Sequence, residues 1–201
     1  ANGIRAYVFE SLRPTPELSF AIRYLKCIAG INVTASHNPA EYNGYKVYWE
    51  DGAQVSEPVD KEIMDYVNRV ENMLSPKLMS KQEAIDKKLY VQIGEEVDQA
   101  FMDAVYETVR EPELIKEHGS EIRIVYTPLH GAGIRIVPKL LNKAGFTNVH
   151  IVKEQEQPDG SFPTVSYPNP EVKEALQLAY DLAVQVDADI VLGTDPDSDR
   201  M

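Results

Sequence analysis

The chain has 201 residues, of which 43% are hydrophobic and 26% charged, a composition typical of globular proteins. Its net charge of -12 argues against a general nucleic-acid-binding protein, because affinity for the phosphate backbone depends on an excess of Lys and Arg. The single cysteine, Cys27, excludes an intrachain disulfide framework and favours a cytoplasmic location. No apolar run approaches the ~18 residues that span a bilayer, so we expect no membrane partner.

Strand-like and helix-like segments alternate along the first half of the chain. The sequence predicts a strand over 4–9, then a helix with Leu18, Ala21, Ile22 and Leu25 on its buried face, then a strand over 28–33. It next predicts a strand from Tyr45 to Trp49 that ends at an Asp51-Gly52 hairpin turn. A helix then opens at Ser56 with a buried stripe of Val59, Ile63, Val67 and Val70, and a connector over 75–94 with one strand at 88–93 follows. Strand alternation places Lys46 on the face opposite its neighbours Tyr45 and Val47.

The second half alternates more regularly. The sequence predicts a helix from about Glu95 to Arg110, a strand over 121–127, a turn over 128–133, a helix with Val137, Leu140, Leu141 and Ala144 that Gly145 ends, a strand over 148–152, a proline-rich loop over 158–170, a helix over 172–186 and a strand over 188–192. This alternation favours an α/β fold with mixed or largely parallel sheets flanked by helices.

Both ends of the chain suggest a fragment of a longer protein. Strand-like sequence starts within a few residues of Ala1, and Met201 directly follows a densely charged loop. We therefore expect two layered α/β domains, both incomplete, over residues 1–94 and 95–201.

The charged loop near the end of the chain is the first candidate site. Asp195, Asp197 and Asp199 occupy every second position directly after a buried strand. Three carboxylates brought together repel one another unless a cation neutralises them, and oxygen-only ligation suits Mg²⁺. The alternative is a solvated acidic terminus. A calcium loop of the EF-hand kind requires Gly at its sixth position, where this chain has Arg200.

The second candidate site is the polar run of residues 34–39, which contains Ser36 and His37 between two predicted strands. A serine hydroxyl needs a neighbouring base, a metal or prior activation to react. The Gly-x-Ser-x-Gly elbow and the glycine-rich phosphate loop are both missing from the sequence around it. The alternative is a polar turn before a hairpin. We expect His130 to stabilise a turn, and His118 and His150 to be surface groups.

Both loops resemble those of a known enzyme family. Thr34-Ala35-Ser36-His37-Asn38-Pro39, followed by Asn43-Gly44 and Lys46, is similar to the phosphoserine loop of the α-D-phosphohexomutases, the phosphoglucomutase and phosphomannomutase relatives. Asp195-Pro196-Asp197-Ser198-Asp199-Arg200 resembles the magnesium loop of that family. Further resemblance lies in Thr127-Pro128-Leu129-His130-Gly131, in residues 158–163 and in residues 168–171.

The resemblance implies a role for each matching residue. Ser36 would carry the phosphoryl group, and Asp195, Asp197 and Asp199 would bind Mg²⁺ together with a phosphate oxygen on Ser36. Lys46 and Arg200 would contact the transferring phosphoryl group, and His37 would support the loop or assist proton movement. The substrate would be a hexose phosphate, converted through a hexose bisphosphate, as in glucose 1-phosphate to glucose 6-phosphate.

Two departures from the family pattern leave the sugar open. Pro196 stands where the usual magnesium loop has Gly, a variant that resembles one bacterial phosphoglucomutase subgroup and also the phosphopentomutases. The sugar-specificity loop and the fourth-domain phosphate site of the family have no counterpart here, so the fragment alone is expected to be inactive. Phosphomannomutase, phosphopentomutase, a phosphatase with the same metal loop, and a non-catalytic sugar-phosphate or metal-binding module are the alternatives.

Overall fold

The computed structural model describes residues 2–72 and 74–201. Within them, the strands are β1 (Ala6–Phe9), β2 (Ala29–Val33), β3 (Tyr45–Trp49), β4 (Tyr90–Ile93), β5 (Ile124–Thr127), β6 (Val149–Ile151) and β7 (Ile190–Gly193). The helices are α1 (Thr15–Tyr24), α2 (Val59–Asn68), α3 (Lys81–Asp86), α4 (Glu95–Tyr106), α5 (Pro112–His118), α6 (Val137–Ala144), α7 (Lys153–Glu156) and α8 (Gln177–Val186), with 3₁₀ turns at Gly119–Glu121, Ala132–Arg135 and Lys173–Leu176.

The second half of the chain is built on a parallel sheet of order β6-β5-β7. β5 is its central strand, and all four of its residues are buried, as expected for an apolar β-branched run between two parallel neighbours. Val125 packs with Val152 and with Ala179 of α8 to form the core of this layer. This arrangement confirms the predicted α/β fold.

The first half contains two strand pairs. β1 pairs in parallel with β4, and β2 pairs antiparallel with β3. The strand expected at 88–93 is therefore confirmed, and it belongs to the sheet of the first half although its surroundings read as a connector. α1 packs against β2 and α4, with the rings of Phe20 and Phe101 5.6 Å apart.

Some helix predictions were wrong in their bounds. α2 begins at Val59, three residues after Ser56, and none of its residues is fully buried. Val70 is 50% exposed because the helix ends at Asn68, before the last position of the expected stripe. α3 and α5 were not predicted, since each has only six or seven residues and shows no clear apolar period. Gly145 ends α6 in a left-handed conformation, as expected.

A buried charged cluster joins α1 to α4. The Arg13 guanidinium donates from Nε to Asp98 Oδ1 at 2.7 Å and from Nη2 to Asp98 Oδ2 at 2.9 Å. Glu17 is completely buried beside this pair, and neither of its carboxyl oxygens has a hydrogen-bond partner in the described part of the chain. Burial, together with the neighbouring Asp98 carboxylate, raises the pKa of Glu17 to about 8. We therefore expect Glu17 to hold a proton in the folded chain at neutral pH.

This proton predicts a pH dependence of stability. The pKa of Glu17 rises from 4.5 to about 8 on folding, so the free energy of unfolding falls as pH rises between these values. The slope from this group approaches about 1.4 kcal/mol per pH unit. Urea unfolding at pH 5.5, 6.5 and 7.5 should show that Glu17→Gln removes this component. The free energy of unfolding of the variant, relative to that of the wild-type chain, should therefore increase as pH rises. Parallel pH profiles of the two proteins would contradict the assignment.

Candidate active site

The loop between β2 and β3 presents the Ser36 hydroxyl to the end of the chain. Ser36 adopts a left-handed backbone conformation (φ 55°), which few non-glycine residues do, and its N–H donates to Thr34 Oγ1 at 2.9 Å. Its Oγ lies 3.1 Å from His37 Nδ1 and 3.2 Å from Asp195 Oδ2. The structure thus brings together two loops that are 159 residues apart in sequence.

The acidic loop follows β7, at the carboxyl edge of the parallel sheet, where open α/β sheets place their ligands. Asp195 is fully buried, and its Oδ1 accepts the backbone N–H groups of Asp199 at 3.1 Å and of Arg200 at 3.0 Å. These bonds curl the chain around Asp195. One carboxylate oxygen from each of Asp195, Asp197 and Asp199 lies within 4.8 Å of the others.

Lys46 neutralises part of this negative charge. Its Nζ lies 2.8 Å from Asp197 Oδ2 and 2.7 Å from Asp199 Oδ2, and among the described residues no other cation is in ion-pair contact with the three carboxylates. Both ion pairs raise the pKa of Lys46 although burial opposes them. Lys46 points to the acidic loop because strand alternation turns it away from the exposed side chain of Tyr45.

The carboxylates differ in how readily they release a proton. Burial and the charge of Asp197 raise the pKa of Asp195 to about 7. Burial also acts on Asp197, but hydrogen bonds from Lys46 and Thr15 outweigh it and lower the pKa of Asp197 below its ordinary value. One lysine therefore does not compensate three carboxylates, and additional positive charge would stabilise the loop.

The donor set fits a hard divalent cation. All three groups offer carboxylate oxygens, which Mg²⁺ prefers. Asp197 Oδ1 is buried and has no hydrogen-bond partner in the part of the chain that the structure describes. A buried carboxylate oxygen without a partner is costly, and a bound cation would satisfy it.

Arg200 and His37 occupy different surroundings from those of the carboxylates. The Arg200 backbone supports Asp195, whereas its side chain is 42% exposed and its guanidinium pairs with Glu171 Oε1 at 3.3 Å. The His37 ring stands perpendicular to the ring of Tyr167 at a centroid distance of 5.7 Å. Its contact with Tyr167 was not predicted, because nothing in the sequence near residue 167 signals it.

The turn after β5 packs against the acidic loop and supports it. Ala132 donates its backbone N–H to the carbonyl oxygen of Pro196 at 2.7 Å. Gly131 lies so close that a Cβ there would meet Pro196 Cα, and would lie 2.5 Å from the carbonyl oxygen of Pro196. Sequence reasoning missed this contact, although the glycine beside His130 was a signal for close backbone approach.

The three histidines outside the serine loop match their expected structural roles only in part. His130 is buried and lies 3.2 Å from the carbonyl oxygen of Gln157 and 2.9 Å from Thr164 Oγ1, which confirms that it stabilises the turn and its neighbouring loop. His118 is exposed, as expected. His150 is half-buried on β6 and lies 3.0 Å from Asn148 Oδ1, so it is not a free surface group.

A cavity of about 310 Å³ opens beside the Ser36 loop. Its walls come from the serine loop, from residues 130–132, from residues 158–160 and 162, and from Pro196 and Asp197 of the acidic loop. Arg13 also lines it. A ligand in this cavity would therefore contact both loops at once.

The fold and the site together define an α/β protein with a serine hydroxyl beside a cluster of three carboxylates. Models of the phosphoglucomutase/phosphomannomutase family match this chain twice: alpha/beta/alpha domain I over residues 1–73 and alpha/beta/alpha domain II over residues 99–201. The chain belongs to the phosphoglucomutase/phosphomannomutase family.

Individual relatives agree with this assignment. A phosphoglucomutase of Staphylococcus haemolyticus is 39% identical over 202 residues, which cover 100% of this chain and 36% of that protein. A probable phosphomannomutase of Haemophilus influenzae is 40% identical over 202 residues, covering 99% of this chain and 39% of the relative. The chain thus spans little more than a third of the length of these curated relatives.

A solved structure shares the fold. A crystal structure from Thermus thermophilus, which carries a provisional phosphomannomutase name, superimposes with a TM-score of 0.78 and 24% identity. The match covers 98% of this chain and 41% of that one. Among the described residues, no helix has the length and hydropathy needed to cross a membrane.

The contact between Gly131 and Pro196 yields a stability prediction. Gly131→Ala should lower the free energy of unfolding by about 1–3 kcal/mol, because its Cβ would push the backbone of the acidic loop away. The matched control is Gly160→Ala, since a Cβ at Gly160 meets no atom within 4 Å. Urea denaturation measures both. Equal stability of the two variants would show that the turn does not support the acidic loop.

Proposed function

We propose that the chain contains the C-terminal part of the first domain, up to about residue 94, and most of the second domain of a phosphosugar mutase that moves phosphate between the 1- and 6-positions of a hexose. Glucose 1-phosphate and glucose 6-phosphate are the proposed substrate and product. The observation that carries the proposal is the distance of 3.2 Å between Ser36 Oγ and Asp195 Oδ2. A phosphoryl group on Ser36 would then lie beside the carboxylate cluster.

The proposed reaction needs positioning more than strong nucleophiles. The hexose hydroxyl oxygen bonds to the phosphorus of phosphoserine, and the bond from phosphorus to Ser36 Oγ breaks, which gives a hexose bisphosphate. The hydroxyl proton leaves the sugar and Ser36 Oγ takes up a proton. His37 is proposed to carry that proton, which its Nδ1 distance of 3.1 Å from Ser36 Oγ supports. After the intermediate turns over, its other phosphate returns to Ser36.

Asp195, Asp197 and Asp199 would bind Mg²⁺ together with a phosphate oxygen on Ser36. When bound, the ion neutralises charge on the transferring group. Lys46 is proposed to move from its two ion pairs toward the phosphoryl group once the cation compensates the carboxylates. Arg200 is proposed to contact the same group after releasing Glu171, a contact that its exposure leaves weak.

The second candidate is phosphomannomutase activity, because one relative of 40% identity carries that name while another of 39% is a phosphoglucomutase. The cytoplasmic location stays a prediction from the single cysteine.

The role of Ser36 gives the first functional prediction. In the full-length protein that contains this chain, Ser36→Ala should reduce the interconversion of glucose 1-phosphate and glucose 6-phosphate by at least about 10³-fold, because no group remains to carry phosphate. Ser120→Ala, at an exposed serine, is the matched control and should retain activity.

Three outcomes are informative in the same assay. Undiminished turnover by Ser36→Ala would end the mechanistic proposal. A higher rate with mannose 1-phosphate than with glucose 1-phosphate would favour the second candidate. Release of inorganic phosphate without formation of an isomer would favour a phosphatase.

The metal assignment gives a second prediction. Asp197→Asn should weaken Mg²⁺ binding at least about 10-fold, because a charged ligand is replaced by a neutral amide. Isothermal titration calorimetry on the 201-residue chain measures this directly. Asp181→Asn makes the same charge change on the exposed face of α8 and should leave the affinity unaltered. Unchanged affinity in Asp197→Asn would count against the site.

A further inference from the structure

Thr15, the first residue of α1, binds Asp197 twice across a sequence separation of 182 residues. Its backbone N–H donates to the carbonyl oxygen of Asp197 at 2.8 Å, and its hydroxyl donates to Asp197 Oδ2 at 2.9 Å. Thr15 is only 5% exposed. The first N–H groups of a helix lack partners within the helix, so Asp197 satisfies one of them.

The direction of the side-chain bond follows from the chemistry of the partners. An ionised carboxylate only accepts hydrogen bonds, so the single hydroxyl hydrogen of Thr15 must point to Asp197. Asn32 lies on the other side of the hydroxyl, with Nδ2 2.5 Å from Thr15 Oγ1. Asn32 must therefore donate from its amide nitrogen, and the order of donors is Asn32 to Thr15 to Asp197.

The β2–β3 ladder places Asn32 and Lys46 side by side, next to the Asp197 carboxylate and its Thr15 partner. Asn32 and Lys46 are directly opposed partners in the antiparallel register. Asn32 reaches Asp197 through Thr15, and Lys46 reaches it directly at 2.8 Å. Asp197 Oδ2 thus accepts two hydrogen bonds, from α1 and from β3.

The other oxygen of this carboxylate is left over. Asp197 is only 5% exposed, and its Oδ1 is buried without a hydrogen-bond partner among the described residues. The contacts of Oδ2 fix the rotation of the carboxylate, so they also fix where Oδ1 points.

We propose that Thr15, oriented by Asn32, is a positioning residue of the cation site: it holds Asp197 by Oδ2 so that Oδ1 is the oxygen offered to the ion. This inference rests on the metal site of the proposed function and adds a residue from the opposite end of the chain. Partners that orient a metal ligand commonly contribute about 10- to 100-fold to metal affinity.

The test is Mn²⁺ binding to the 201-residue chain, followed by titration calorimetry and by the electron paramagnetic resonance signal of free Mn²⁺. Thr15→Val removes the hydroxyl, keeps nearly the same shape and keeps the backbone bond to Asp197. It should weaken Mn²⁺ binding about 10-fold or more. Thr15→Ser restores the hydroxyl and should bind within about 2-fold of the wild-type chain.

A matched control separates positioning from general stability. Ser19→Ala also removes a hydroxyl from α1, one that donates to the carbonyl oxygen of Gly52 at 2.6 Å and contacts none of the three carboxylates. It should be destabilised in urea unfolding without loss of Mn²⁺ affinity. Asn32→Ala should weaken binding in the wild-type chain but add little in a Thr15→Val background, because Asn32 acts through the Thr15 hydroxyl.

The outcomes are distinct. Wild-type affinity in Thr15→Val overturns this inference alone and leaves the metal site intact. Weakening by Ser19→Ala equal to that by Thr15→Val also overturns it, because the effect would then be one of stability. Absence of Mn²⁺ binding by the wild-type chain overturns the metal site itself, and the inference with it. Selective weakening by Thr15→Val, with rescue in Thr15→Ser, supports it.

Discussion

The mutual repulsion of three neighbouring carboxylates is the constraint on which the rest of the site depends. Two unit charges 4.8 Å apart repel by about 3.5 kcal/mol at an effective dielectric constant of about 20. Asp195 and Asp197 are also buried, so solvent screens them little. Backbone N–H groups, the ion pairs of Lys46 and the hydroxyl of Thr15 offset this repulsion. A divalent cation would complete the compensation.

The site is distributed over both halves of the chain, so its geometry depends on how these halves pack. Arg13 lines the cavity and is fixed by Asp98 of α4, in the cluster that also buries Glu17. Two residues further on, Thr15 binds the acidic loop. The segment that leads into α1 therefore links the interface of the halves to the acidic loop. A substitution at this interface is therefore expected to shift Asp197 even when it replaces none of the three carboxylates.

The sequence carried enough information for the fold class and for the meeting of the two loops. Alternating apolar periods predicted the parallel layer around β5, and strand alternation predicted the side of β3 on which Lys46 lies. The convergence of Ser36 with Asp195 came from two motifs whose resemblance to the family specifies one site. Local sequence pattern did not give the correct ends of every helix, since α2 begins later than Ser56 and ends before Val70, which is exposed.

The supporting contacts could not be predicted in the same way. The sequence around Thr15 does not signal its contact with Asp197, because the two residues lie 182 positions apart and only tertiary packing joins them. The same holds for Gly131 beneath Pro196 and for Tyr167 beside His37. The pairing of Arg200 with Glu171 was not predicted either, and its role at the phosphoryl group stays a prediction. Such contacts depend on three-dimensional packing and leave no periodic signal in sequence.

The central claim is that a phosphoryl group on Ser36 and a cation on the acidic loop share one site. It is tested most directly by ³¹P nuclear magnetic resonance of the chain carrying phosphoserine at position 36, titrated with Mn²⁺. The account predicts that the phosphoserine resonance broadens as the paramagnetic ion binds and sharpens again when excess Mg²⁺ displaces it. A resonance that stays sharp while Mn²⁺ saturates the acidic loop would contradict the account.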